Sequence, residues 1–434
     1  MIKNLTPPTL SRRLFIGSAA AGVAALQTPR LFAQTAAATR DFKIALVGCG
    51  GRGSCAVNDI KAAAARLGCR TTLVAAADFR HEKALALCAR HGCDAKQAFG
   101  GPTGYQKVME STAEIVLLAA PPFFRPLHLE ACVKAGKHIF AEKPVATDPA
   151  GLRRFLAGVE AAKKANLSIL SGTCHRHNNK ALRMLKPMQE GAIGVVRGGV
   201  VYRCHGGMNG GGYYQPRKPG DSNAAYLSTA WYFWRQMSGD NLTEQGIHEV
   251  DLANWFIGRL PKSAMGIGAR HRRAIGNGYD SLSVDYDYGD SLHIHTIARQ
   301  VDGCSERLGA ILQGTEGECS VLGKFSRFDG KPVAYDEERV RTRDENMMTM
   351  EHWDFLNGLL TGDLLHEGNQ VAMATATTLM GTLACYTGGT VRMSDLLTNE
   401  KSEFYNMNNP FLPEDFEKGD VELPKEFEAP IPGK

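Results

Sequence analysis

The chain has 434 residues, enough for roughly two or three folding units with sizeable cores. Its hydrophobic and charged fractions, 44% and 22%, are those of an ordinary globular protein. The formal charge of +5 sits in residues 1–40, where Lys3, Arg12, Arg13, Arg30 and Arg40 meet no acid, so the remainder is neutral and no nucleic-acid partner is expected.

The N-terminal stretch reads as an address. Ser11-Arg12-Arg13-Leu14-Phe15-Ile16 resembles the twin-arginine export signal, and a mild apolar run over 14–26 follows it. That run is too short to span a bilayer, and no later segment reaches that length. Export of an already folded, cofactor-loaded protein to the periplasm is the expectation. It also accounts for eleven scattered cysteines without a C-x-x-C pair, most of them read as small buried apolar residues.

From residue 41 the pattern alternates. Residues 42–47 (FKIALV), 71–77 (TTLVAAA), 115–120 (IVLLAA) and 138–141 (HIFA) read as buried strands, with helices over about 54–67, 80–90, 127–135 and 149–164. This order predicts a parallel, doubly wound sheet, an α/β Rossmann domain over 41–168. Beyond it, 195–204, 264–270, 281–288, 291–299 and 307–313 read as strands of an open, mostly antiparallel sheet in a second α/β domain over 169–434. One helix at about 245–257 interrupts them, and a long helical stretch at about 347–390 follows. The acidic, proline-rich tail from Asn399 is expected to lie extended on the surface.

Gly48-Cys49-Gly50-Gly51-Arg52-Gly53 satisfies G-x-G-x-x-G between a strand and a helix, with Asp78 after the next strand. Gly48 suits the tight turn, Gly50 the approach of a pyrophosphate, and Gly53 close helix–strand packing. The helix start offers free N–H groups and a positive dipole end. Asp78 suits ribose hydroxyls and favours NAD, while Arg80 leaves NADP open. Gly51, Arg52, Pro121, Glu142 and Lys143 complete the candidate cofactor contacts.

Residues 138–144 (HIFAEKP) carry a Glu-Lys-Pro motif after Ala135-Gly136-Lys137. Residues 242–251 (LTEQGIHEVD) are similar to a D-x-G-x-H-x-x-D segment with Glu244 in the first position, and 171–177 (SGTCHRH) to a G-x-x-x-R stretch. Over about 42–322 the chain therefore resembles the glucose–fructose oxidoreductase / inositol dehydrogenase / MocA family. Residues 231–240 and 298–304 are similar to its exported bacterial members. The chain departs from the pattern at Arg125, where the family often has a histidine, and at Glu244. The resemblance implies a Rossmann domain, a second domain with an open sheet, and homo-oligomers built through that sheet.

It also implies hydride transfer between nicotinamide C4 and a sugar or polyol hydroxyl carbon. Lys143 is the candidate for taking the hydroxyl proton and stabilising the alkoxide. His248 is the candidate acid/base, titrating near neutrality. Glu244, four residues earlier, shares its helix face, and Asp251 is the candidate to orient the imidazole. Arg176, His177, Tyr232 and Asp251 are candidate substrate contacts; Tyr202, Tyr213, Tyr214, Trp231 and Trp234 add aromatic faces suited to sugars. The pairs His175/His177 and His293/His295 lack a third ligand at a telling spacing, and no metal is expected. Two other readings remain: an NAD-dependent glycoside-cleaving enzyme on the same fold, and a non-catalytic sugar- or cofactor-binding protein.

Overall fold

The computed structural model describes residues 39–207, 216–407, 409–419 and 421–426. Arg12, Arg13, Tyr213 and Tyr214 lie outside the described residues. From Arg40 onward the chain forms one compact unit built on two sheets.

The first sheet contains β1 (Asp41–Val47), β2 (Arg70–Asp78), β3 (Ala98–Gly100), β4 (Ile115–Leu118), β5 (His138–Ala141) and β6 (Ile169–Ser171), in the order β3-β2-β1-β4-β5-β6. All pairings are parallel. Helices α1 (Gly51–Arg66), α2 (His81–His91), α3 (Gly104–Met109), α4 (Arg125–Lys134) and α5 (Pro149–Lys164) connect them. Strand order reverses between β1 and β4, which opens a crevice at the carboxyl ends of the strands. Both faces are covered, so β1 is apolar on each: Ile44 and Leu46 enter one core, Ala45 and Val47 the other. The sixth strand, Ile169–Ser171, lies just beyond residue 168.

After α6 (Asn179–Gln189) comes the second sheet: β7 (Val196–His205), β8 (Ser263–Ala269), β9 (Ser281–Asp287), β10 (His293–Gln300), β11 (Arg307–Gly314), β12 (Gly317–Ser320), β13 (Phe325–Arg327) and β14 (Val391–Arg392). Its order is β13-β12-β11-β7-β10-β9-β8-β14, antiparallel except for β7 with β10. Helices α7 (Asn223–Thr229), α8 (Arg235–Ser238) and α9 (Ile247–Ile257) fall between β7 and β8, and α9 packs on β7 and β11.

The expected long helix is two helices, α10 (Met347–Thr361) and α11 (Gly368–Thr387). Gly362, at φ 82°, ends the first in a left-handed cap. Helix α10 returns to the first domain and packs on α1, placing Phe355 and Leu356 in the core beside Ile44 and Ile60.

After α12 (Met393–Leu397) comes a tail that contradicts its expected surface course. Phe404, Phe411 and Phe416 are buried, and α13 (Pro413–Lys418) carries Phe416 into an aromatic cluster with Phe123, Phe124 and Trp234. Burial of three large rings outweighs the acidity of the segment. Among the described residues no helix is long and apolar enough to cross a membrane. Of the cysteines, Cys55 and Cys304 are exposed and Cys93 partly so; the rest are buried, and all are unpaired.

Candidate functional site

Strand β1 ends in the glycine turn at the crevice. Gly48 has φ 98°, and a Cβ there would collide with the Ala119–Ala120 backbone. A Cβ at Gly50 or Gly51 meets nothing within 4 Å, so the loop leaves open space where a pyrophosphate would approach. Helix α1 starts at Gly51 with no acid in its first turn, keeping its N-terminal field positive. Asp78, at the end of β2, accepts from the Cys49 amide at 2.7 Å and the Arg80 amide at 2.9 Å. Its carboxylate thus sits beside the loop, at the ribose position of such folds. These features fit a dinucleotide.

Two expected contacts are drawn elsewhere. Arg80 pairs with Asp221 at 2.6 Å and bonds Thr229 at 3.2 Å, so its guanidinium is committed away from a 2′-phosphate. Arg52 pairs with Asp59 and with Glu142, each at 2.8 Å. Glu142 is buried and also accepts from the Lys143 amide at 3.2 Å, so it positions the Glu-Lys-Pro turn. Pro121 starts the turn from β4 into α4, and Arg125, fully buried, donates to the Leu118 carbonyl at 2.7 Å.

Lys143 reaches across to the second domain. Its ammonium meets Glu244 Oε1 at 2.9 Å and donates to the Glu244 carbonyl. Glu244 lies in a π-helical turn, Leu242–Gly246, that leads into α9. Such turns recur at functional sites. Gln245 donates to Glu244, and Arg203 from β7 donates to Gln245 and pairs with Glu249 at 2.9 Å. A polar chain therefore runs from the second sheet to Lys143.

His248 follows one turn later. Its Nδ1 is buried without a hydrogen-bond partner, and burial, with Lys143 next, pushes its pKa well below the ordinary value. The imidazole is neutral, which corrects a titration near neutrality. His175 stands beside it, ring centroids 5.2 Å apart at 68°, and burial pushes its pKa down to about 4.

Asp251 does not orient His248. It takes a two-pronged bond from Arg176, both contacts at 2.8 Å, and accepts from Gln370. Arg176, expected on substrate, is held by that pair and lies over Trp255. His177, also expected on substrate, is buried between Asp354 at 2.6 Å and Glu367 at 3.2 Å; despite its burial, these acids hold its pKa up at about 10. Tyr232 is buried and accepts from Gln300, so it is a core residue and not a sugar platform. Arg176, His177, Trp255 and Arg343 line a cavity of about 450 Å³ that none of Lys143, Glu244 and His248 borders. His293 and His295 face one side of β10 but bond Asp285 and Ser283.

Two family models cover most of this architecture: the oxidoreductase family with an NAD-binding Rossmann fold over residues 42–171, and the GFO/IDH/MocA C-terminal domain over 184–320. The chain belongs to the GFO/IDH/MocA family. This member is 26% identical over 217 residues to an inositol 2-dehydrogenase of Rhizobium meliloti, covering 49% of this chain and 56% of that one. It is 27% identical over 187 residues to a 2,7-anhydro-N-acetylneuraminate hydratase of Escherichia coli, covering 42% and 44%. The chain spans between 44% and 65% of the length of the curated relatives it matches. Its fold is shared with the WlbA dehydrogenase of Bordetella pertussis, solved with NADH and UDP-GlcNAcA, at TM-score 0.62 and 19% identity over 81% of this chain and 99% of that one.

Proposed function

We propose that this protein is an NAD-dependent oxidoreductase acting on a hydroxyl carbon of a sugar or polyol. The observation that carries the reading is the Lys143–Glu244 pair, which joins the carboxyl end of the nucleotide-binding sheet to the second domain. When bound, the nicotinamide ring supplies a hydride acceptor. The Lys143 ammonium binds the substrate hydroxyl and stabilises the developing oxyanion; it takes the hydroxyl proton as it passes one of its own to Glu244, which also holds the lysine in place. His248 stands one turn after Glu244, beside the same pair. In the reverse direction Lys143 returns the proton to the oxygen. Acid release and identification of nucleotide from the purified protein, then a panel of sugars and polyols followed by nicotinamide absorbance, tests the reading. Absence of bound or bindable NAD, or no nicotinamide reduction by any of the panel, counts against it.

The hydratase relative favours a second reading, in which oxidation, elimination, addition and reduction cleave a glycosidic bond on the same site. Aryl glycosides separate the two: cleavage that requires NAD but accumulates no NADH supports the second.

Two further properties belong to this reading. The twin-arginine segment supports export. The outer face of the second sheet supports a homo-oligomer, because Ile267, Ile297 and Tyr202 fall in one cross-strand row, with Met265 and Ile267 58% and 75% exposed. Light scattering of an Ile267→Asp variant tests that face.

A further inference from the structure

Cys174, His175 and His248 each present a ligand atom, and the three atoms lie within 4.8 Å of one another. The Cys174 side chain is 2% exposed. The Nδ1 atoms of His175 and His248 are both buried without a hydrogen-bond partner. Buried polar atoms are ordinarily satisfied, so an orphaned nitrogen on each of the two imidazoles of this cluster points to a ligand. We propose that Cys174, His175 and His248 form a three-ligand site for a soft divalent cation of the zinc class.

The ligand set is one thiolate and two imidazoles, the chemistry such an ion prefers. A tetrahedral ion with bonds of about 2.3 Å to sulfur and about 2.0 Å to nitrogen holds its ligand atoms roughly 3.3–3.6 Å apart. The observed spacing is within 4.8 Å, so binding must draw the three ligand atoms closer together.

Nearby cations do not forbid the charge. Lys143 is paired with Glu244, Arg52 with Glu142, Arg203 with Glu249 and Arg176 with Asp251. Burial, with Glu351 next, pushes the Cys174 thiol's pKa well up, so the ion must displace the thiol proton to bind. Three protein ligands leave a coordination position open, as in catalytic zinc sites. Lys143 acts electrostatically on both Cys174 and His248, so the cluster borders the cleft. A substrate oxygen could take the open position. That part rests on the oxidoreductase reading; metal binding itself does not.

The test uses the full chain, stripped with a chelator and titrated with Zn²⁺ alone and with Co²⁺ alone, without nucleotide or sugar. One equivalent should bind. The cobalt form should show thiolate charge-transfer and tetrahedral visible bands. Zn²⁺ should raise the Tm of the unsubstituted protein. Cys174→Ser and His175→Asn should each weaken binding about a hundredfold or more, since loss of an outer-shell partner alone costs about 10–100-fold. Cys385→Ser should bind as the parent does. Circular dichroism checks folding; if one variant unfolds, the other and the parent's cobalt spectrum decide. No stoichiometric uptake by the parent, or an unchanged cobalt spectrum in a folded Cys174→Ser or His175→Asn variant, overturns the site. Because substrate and nucleotide are absent, this result stands apart from any failure to turn over a sugar.

Discussion

Lys143 and Glu244 meet at 2.9 Å with only 10% and 9% of their side chains exposed, one from each domain. A pair so enclosed is strong only while both partners are present. Lys143→Ala leaves the Glu244 carboxylate without its cation and should cost about 3–5 kcal/mol in urea denaturation. It should also lower kcat about a hundredfold or more on the substrate found. Lys143→Met with Glu244→Gln should recover most of the stability and none of the turnover. Near-normal kcat in Lys143→Ala would reduce the pair to a domain tie.

Gly50→Val separates binding from folding. A Cβ at this position would meet only open space, and the backbone has an ordinary negative φ of −74°, so the variant should melt as the parent does. Its side chain occupies the pyrophosphate approach, and calorimetry should register loss of NAD binding. Unchanged affinity would move the cofactor elsewhere.

Arg176 and Asp251 should behave as structure. Asp251 is 2% exposed and bound at both oxygens, so Arg176→Ala strands a buried carboxylate. The expected loss is about 3 kcal/mol or more of unfolding free energy, with KM for the sugar little changed. A large rise in KM at full stability would return Arg176 to the substrate.

His128 gives a pH test. It lies between Tyr105 and Phe124, and burial, then Arg125, pushes its pKa from 6.5 down to about 3. Between those values the unfolded chain binds a proton that the folded chain refuses. Its share of stability is therefore present above 6.5 and lost as the pH falls toward about 3. Urea denaturation at about pH 7 and about pH 5 should show a smaller acid loss in His128→Leu than in the parent.

Replacing Arg12 and Arg13 with Lys should leave folded protein in the cytoplasm. Fractionation that finds the double variant in the periplasm at the parent's rate would remove the twin-arginine assignment.

Much of this molecule is legible in its sequence because burial on both faces forces apolar runs. The strands at 42–47, 71–77, 115–120 and 138–141 and the five main strands of the second sheet follow from that pattern. Strands β3, β6 and β14 have three, three and two residues, too few to show a period. The glycine loop is readable because its constraint is local. Asp251 is not: its place three residues from His248 suggests an orienting acid, but its partner Arg176 arrives from 75 positions away. The same blindness hides Cys174, His175 and His248 as a group, since spacing alone offers no third ligand. The tail's aromatic residues are visible in the sequence, but their acidic neighbours mask them.

The return of α10 to α1 has a consequence for how the chain is made. Phe355 and Leu356 have no exposure and close a core whose other buried members all precede residue 171. A polypeptide that stops after Ser171 therefore carries every strand of the nucleotide-binding sheet yet leaves part of one apolar face, beside α1, uncovered. During synthesis that part waits for residues 172–346 before its cover, α10, begins. The boundary that separates the two sheets in sequence is thus no boundary for folding, and an excised first domain would be an aggregation-prone fragment.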